Sequence, residues 1–427
     1  MTVLTRHTGS DPRQEPAPEP APDVDLDTVD LDTVDLFDPG LHADGDPHRI
    51  WAHLRRAAPL HRQTLPDGRN FASVTRYHDV RRVLSDSRAF TSERGSLLDQ
   101  LGHGDEAAGQ MMVSTDPPDH AALRRPLQHA LQRNALEAAR PRIRAAARAV
   151  LAPAADGRPF DLVTAALDFP MTFTGALMGI PEQDWPDLVR WTSMAASPED
   201  PGFQIRNRHA TLAIAHHELF SYFTEQTAAR PDGSGDLLDL LAGLGSRAKT
   251  VYNCYSLLLG ANATTPHAFT GTVLALLEHP DQLAEARRHP ELVPSLVEEG
   301  LRWTSPASSF LRHAVEDVEL EGGVLRKGEA VAAWVGSANR DETVFQEAAR
   351  FDLRRTGNRH ITFGAGAHYC LGAILARIAL NELFTELLGR LEHLEPAGPV
   401  RRLRSNFIAG LGSMPVAMTL RPTGPQG

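Results

Sequence analysis

Cys370 stands in Phe363-Gly364-Ala365-Gly366-Ala367-His368-Tyr369-Cys370-Leu371-Gly372-Ala373, a glycine-rich stretch that leads into a helical pattern. Leu371, Ile374, Leu375 and Ile378 follow at i, i+3, i+4 and i+7, so a helix begins just after the cysteine. A sulfur in that place faces free backbone N–H groups and the positive end of the helix dipole, which favours the thiolate. Gly366 and Gly372 leave room for a flat cofactor to approach the backbone, and Phe363 can shield the sulfur from water. A single anionic sulfur in such a loop suits one axial bond to heme iron. A lone cysteine is more often a buried structural residue. That reading fits Cys254, which lies in an apolar helical stretch with no glycine loop, whereas the pattern around Cys370 points to a ligand.

Other chemistries are excluded by spacing. Gly364-Ala365-Gly366 opens like a dinucleotide fingerprint, but the third position is Tyr369 and no strand alternation precedes it. His216 and His217 diverge by about 100° on a helix and cannot share one ion. There is no cysteine pair at zinc spacing, no Gly-x-Ser-x-Gly elbow and no phosphate loop.

The elements that must position the cysteine are mainly helices. Arg76 to Leu84 reads as a helix after a strand-like Phe71-Ala72-Ser73-Val74, and helical patterns follow at 120–150, 183–195, 207–229, 249–279, 290–303 and 371–391. Val318-Glu319-Leu320 and Val324-Leu325 flank Gly322-Gly323 as a hairpin, and Val331 to Val335 reads as a further strand. The expectation is a mostly α fold with a minor β region in one large domain over residues 35–427. Ahead of it, residues 1–34 form an acidic extension in which Val24-Asp25-Leu26-Asp27-Thr28 recurs as Val29-Asp30-Leu31-Asp32-Thr33. Low hydropathy and like charge favour disorder there, as an interaction tail or as a merely solvated extension.

The chain has 427 residues, 42% hydrophobic, and no apolar run long enough to span a membrane. With no signal-like N-terminus and only two cysteines, it reads as a cytoplasmic protein of a reducing compartment. Residues 1–46 hold twelve acids against Arg6 and Arg13; the other 381 residues carry a net charge of −1. A nearly neutral body argues against nucleic-acid binding.

Phe-x-x-Gly-x-His-x-Cys-x-Gly over residues 363–372 resembles the heme-binding signature of the cytochrome P-450 family of heme-thiolate monooxygenases, in its soluble bacterial form. The resemblance covers roughly residues 35–420 and implies the cytochrome P-450 fold. It also implies heme b (iron protoporphyrin IX) ligated by the Cys370 thiolate within Phe363, Gly364, Gly366 and Gly372. Glu299-Gly300-Leu301-Arg302 resembles the family's Glu-x-x-Arg pair, and Ala348-Ala349-Arg350-Phe351 matches the place of the third member, making Glu299, Arg302 and Arg350 the structural triad. The segment from Asp116 to Arg124 resembles the one whose His and Arg, here His120 and Arg124, hold heme propionates; Arg312 and His368 match further propionate partners. Cationic side chains suit a dianionic cofactor.

The helix over 249–279 would be about 40 Å long and matches the family's central helix above the heme. Its middle, Leu259-Gly260-Ala261-Asn262-Ala263-Thr264-Thr265-Pro266, keeps the alcohol at Thr264, followed by Thr265, but has Ala263 where the family carries an acid. Pro266 cannot donate to the Asn262 carbonyl, so the helix should open beside Thr264 and leave a free acceptor. Two readings follow. Either that carbonyl, Thr264, water and a polar group on the substrate replace the acid, or Pro266 only kinks the helix and Ala263 lines the pocket.

By resemblance the substrate wall comes from the loop near 95–112, Ala261, Thr264, Ala307-Ser308-Ser309-Phe310 and Phe407-Ile408. That mixture suits a medium-sized, mostly neutral molecule. No flavin or iron–sulfur domain is present, so electrons come from a ferredoxin and its reductase, with Arg354, Arg355 and Arg359 as docking charges. The implied protein is a monomeric monooxygenase that inserts one oxygen atom from O2, in a tailoring step of specialised metabolism. The missing acid leaves open an atypical oxidation (peroxide-driven, ring coupling or nitration), and a non-catalytic heme-binding helper is a further alternative.

Overall fold

The computed structural model describes residues 30–131, 133–229 and 235–422. The acidic extension expected over 1–34 lies outside the described residues up to position 29. Its end belongs to the fold, with a 3-10 turn at Leu31–Thr33 and with Leu31 and Val34 packed beside fully buried Leu36.

Helices dominate. The single helix expected over 120–150 is two, α1 (Asp119–Ala130) and α2 (Arg133–Leu151). After them come α3 (Trp185–Ala196), with a proline in its first turn, and α4 (Arg208–Ala229). The Ser246 side chain caps α5 (Arg247–Asn262) by accepting from the Lys249 amide. The 40 Å helix expected over 249–279 stops there, and α6 (Thr265–Glu278) begins afresh after Ala263 and Thr264. Pro266 is the physical reason: it sits in the first turn of α6, where its missing N–H costs nothing, whereas inside a continuous helix its ring would press on the Asn262 carbonyl. The opening anticipated beside Thr264 is thus a full break. Then follow α7 (Val293–Thr304), ending at Ser305 in a left-handed conformation (φ 42°), and α8 (Ala373–Arg390).

The largest sheet has five strands: β1 (Leu60–Thr64), β2 (Asn70–Val74), β3 (Phe90–Thr91), β4 (Ser309–Ala314) and β5 (Ala330–Trp334), in the order β1-β2-β5-β4-β3. β2 and β5 run parallel, and the other neighbours antiparallel. The expected hairpin forms with Val318 opposite Leu325, and Gly322 (φ 92°) and Gly323 (φ 148°) make its turn. The main core gathers residues of α2, α6, α7 and α8, with fully buried Phe269 and Phe384 rings 5.2 Å apart. Among the described residues no helix is long and apolar enough to cross a membrane.

α6 and α7 approach most closely at Gly300. A Cβ there would lie 2.8 Å from Thr272 Cγ2 and nearer still to Thr272 Oγ1, whose hydroxyl already donates to the Ala268 carbonyl at 2.6 Å. Gly300→Ala should therefore lower stability in urea denaturation by about 1–3 kcal/mol, and adding Thr272→Ala should recover most of the loss.

Candidate active site

The loop ahead of α8 is shaped by two left-handed glycines, Gly364 (φ 74°) and Gly366 (φ 69°). A Cβ on Gly366 would meet the Ser85 backbone at 2.6 Å, so this position also needs a glycine for space. A 3-10 turn covers Gly366–His368, and the Cys370 amide donates to the Phe363 carbonyl at 2.8 Å, closing the loop. Gly372 caps α8. Cys370 is exposed at the mouth of this loop, unlike Cys254, which is packed in the core. Enclosure pushes its thiol up; the Gly372 N–H and the charges of Arg124 and Arg377 pull the other way without prevailing. The Gly372 N–H at the start of α8 works towards the thiolate, and a coordinated metal would complete its formation.

Two arginines and two histidines gather at this loop: Arg312 from β4, Arg124 and His120 from α1, and His368 from the loop itself. Arg312, on β4, is 5% exposed and donates to the carbonyl of its neighbour Leu311 at 2.7 Å, with no carboxylate at ion-pair distance among the described residues. Burial draws its guanidinium down to about 10, against the nearby charge of Asp116. That carboxylate is engaged by the Thr91 hydroxyl (2.5 Å) and the Ser92 amide (2.9 Å). Arg124, on α1, donates to the Tyr369 carbonyl at 2.6 Å. The rings of His120 and His368 are 4.4 Å apart, and the buried His120 Nε2 has no hydrogen-bond partner among the described residues. His368 is within 3.2 Å of the Ser92 hydroxyl, and burial with Arg312, His120 and Arg124 around it pushes its pKa down to about 2. Ser92 carried no sequence signal, because its role comes from the packing of β3 against the loop.

On the α5–α6 side, Gly260 in the last turn of α5 is exposed, and a Cβ there would touch nothing within 4 Å. Gly260 and half-buried Ala261 thus border open space. The Thr264 hydroxyl donates to the Gly260 carbonyl at 2.8 Å, while Thr265 is buried in α6. Ala263 is buried in an apolar cluster with Ala196, Leu403 and Ile408, so the position of the missing acid is surrounded by hydrocarbon.

Two segments of the expected substrate wall lie side by side. Ala307 bridges Ile408 in an isolated β-pair, and the Phe310 and Phe407 rings stand 6.1 Å apart. Ser308 and Ser309 differ from expectation. Both are buried, with their hydroxyls donating to the carbonyls of Phe407 (3.1 Å) and Asn406 (2.9 Å), so they fasten the wall and do not offer protons to a ligand. Arg208 at the start of α4 pairs with Asp99 (2.7 Å) in the 95–112 loop and with Glu199 (3.2 Å) in the α3–α4 connection.

The structural triad needs one correction. Glu299 and Arg302, fully buried on α7, pair at 2.7 Å as expected. The third member is Arg355, at 3.1 Å from Glu299 and 7% exposed. Arg350 points outward to Glu347 and contributes only its carbonyl, which accepts from Arg302 (3.0 Å) and Arg355 (2.8 Å). Glu347 is in a left-handed conformation (φ 47°), and the turn it starts decides which arginine faces inward. Arg355 is accordingly not a docking charge.

Comparison with known proteins agrees with this architecture. The Cytochrome P450 family model matches residues 245–416. Linalool 8-monooxygenase of Pseudomonas putida is 32% identical over 90% of this chain and 98% of its own length. The solved structure of P450 OxyD, involved in the biosynthesis of vancomycin-type antibiotics, superposes with a TM-score of 0.82 at 34% identity, covering 91% of this chain and all of that one. The LnmA cytochrome P450 hydroxylase of the leinamycin pathway of Streptomyces atroolivaceus gives 0.75 at 32% identity, covering 86% and 95%. The chain belongs to the cytochrome P450 family. It is an oxidoreductase whose cofactor is heme b, held through a cysteine. The residues present fit that group: an unpartnered His120 nitrogen and an unopposed Arg312 are what a dianionic ligand requires.

The triad predicts a contrast in stability. Arg355→Ala leaves a buried carboxylate short of a partner and should cost about 3–5 kcal/mol in chemical denaturation, whereas Arg350→Ala should stay within about 0.5 kcal/mol.

Proposed function

We propose that this P450 inserts one oxygen atom of O2 into a medium-sized, mostly neutral organic molecule in a tailoring step of specialised metabolism. The observation that carries the site assignment is the pair of arginines and the two histidines around Cys370, with no acid paired to Arg312 among the described residues. Cys370 is the iron ligand in this reading. His120, Arg124, Arg312 and His368 hold the heme propionates, and Phe363, Gly364, Gly366, Gly372 and Ala261 enclose the ring. The roles of OxyD and LnmA in antibiotic pathways support the tailoring step. Support for a neutral substrate comes from the wall of Ala261, Ala307, Phe310, Phe407 and Ile408, where the serine protons are already engaged.

Heme b, when bound, supplies the iron at which O2 is reduced, one oxygen going to the substrate and the other to water. That stoichiometry consumes two protons and two electrons. Protons are handled at Thr264 Oγ, whose hydroxyl is parked on the Gly260 carbonyl and is free to turn to water. The helix break leaves the Asn262 carbonyl without the amide that Pro266 lacks, a second acceptor beside Thr264 for ordering that water. Apolar packing at Ala263 keeps other proton sources away. Electrons come from a ferredoxin and its reductase, and Arg354 and Arg359 remain exposed on the approach to the Cys370 loop to meet an acidic partner.

Optical titration of the ferric protein with natural-product scaffolds should shift the Soret band where a ligand displaces water from iron, and so name the substrate class. With that substrate, Thr264→Ala should divert reducing equivalents to hydrogen peroxide. Unchanged coupling would show that protons do not pass Thr264.

A further inference from the structure

Arg377, on α8, lies seven residues beyond Cys370. Its guanidinium carbon lies 4.5 Å from the centroid of the Phe363 ring. Nε and Nη2 form a fork on the Glu298 carboxylate at 2.7 and 2.9 Å, and Nη1 reaches the Tyr369 hydroxyl at 3.3 Å. Glu298, on α7, also hydrogen-bonds His360 Nε2 at 3.0 Å, and the His360 ring stands 6.0 Å from Phe363. One carboxylate thereby fixes both a cation and an imidazole beside the ring whose own carbonyl receives the Cys370 amide. Burial opposes the charge on Glu298, but its bonds from His360 and Arg377 win and hold the carboxyl down to about 2. The pair therefore stays ionised at neutral pH.

This arrangement places a fixed positive charge against the ring of Phe363, the residue whose carbonyl accepts from the Cys370 amide. A cation near an anionic ligand stabilises the more negative state of a metal centre, and groups beyond the ligand shell set its potential. We propose that Arg377, clamped by Glu298, is a positioning residue that sets the reduction potential of the thiolate-bound heme and holds Phe363 over the sulfur. The inference rests on Cys370 being the iron ligand. It assigns a function to two residues that a purely structural account would treat as a staple between α7 and α8.

The test is the ferric/ferrous potential of the heme-loaded protein by dye equilibrium, together with the band of its ferrous–CO complex. Arg377→Met should shift the potential downward and raise the share of the thiol-type CO band over the thiolate-type one. Glu298→Gln, which removes the opposing charge, should shift the potential upward. Arg377→Lys keeps a charge near the ring and should fall between Arg377→Met and the unmodified protein. A structural staple would give shifts of the same sign for Arg377→Met and Glu298→Gln, or none, and either result would overturn the proposal. If the unmodified protein lacks the thiolate-type CO band, the heme-thiolate reading itself fails, and the proposal with it.

Discussion

Two arginines and two histidines converge on one cysteine loop, and the buried Arg312 among them has no acid in ion-pair range among the described residues. Much of the surrounding structure follows from that. A buried guanidinium without a counter-charge is costly, so it persists only where a ligand completes it or the fold forces it into place. Here the fold does the forcing. Arg312 is a β4 residue opposite Val331 of β5, Arg124 and His120 ride on α1, and His368 belongs to the turn that Gly366 makes possible. Asp116, the nearby acid, is already held by Thr91 and Ser92 and shapes the β3 edge of the site. The uncompensated Arg312 has the sign of charge that a dianionic ligand would complete.

The opposite balance holds one layer away. Glu299 is buried and accepts from two guanidinia, Arg302 and Arg355, and from the Asp352 amide and the Asn358 side chain. Arg302 in turn donates to the carbonyls of Asn339, Ala348 and Arg350. This network pins the irregular segment before the cysteine loop to α7 and fixes where that loop can start. Removing one member leaves the others buried and unpaired, which makes such networks intolerant of single changes.

What sequence made legible was whatever is encoded locally. The glycine loop before Cys370, the Gly322-Gly323 hairpin, the strand at Ala330–Trp334 and the helix starting at Ala373 all depend on neighbouring residues, and all fall near their expected places. Pro266 announced an opening in the central helix, but sequence did not show that it becomes a complete stop, because that depends on how α5 and α6 pack separately. Choosing Arg355 over Arg350 required the left-handed turn at Glu347, which spacing does not encode. Glu298 and Arg377 are 79 positions apart and show no pattern; only the packing of α7 on α8 brings them together.

The most direct measure of the central claim is the rate at which heme leaves the protein for excess apomyoglobin, compared between the unmodified chain and Arg312→Met. A charge-assisted bond from a buried guanidinium to a propionate predicts loss of heme about tenfold faster or more in the variant. An unchanged rate would mean that Arg312 is not opposite the propionates, and the uncompensated charge around Cys370 would then not be the heme site.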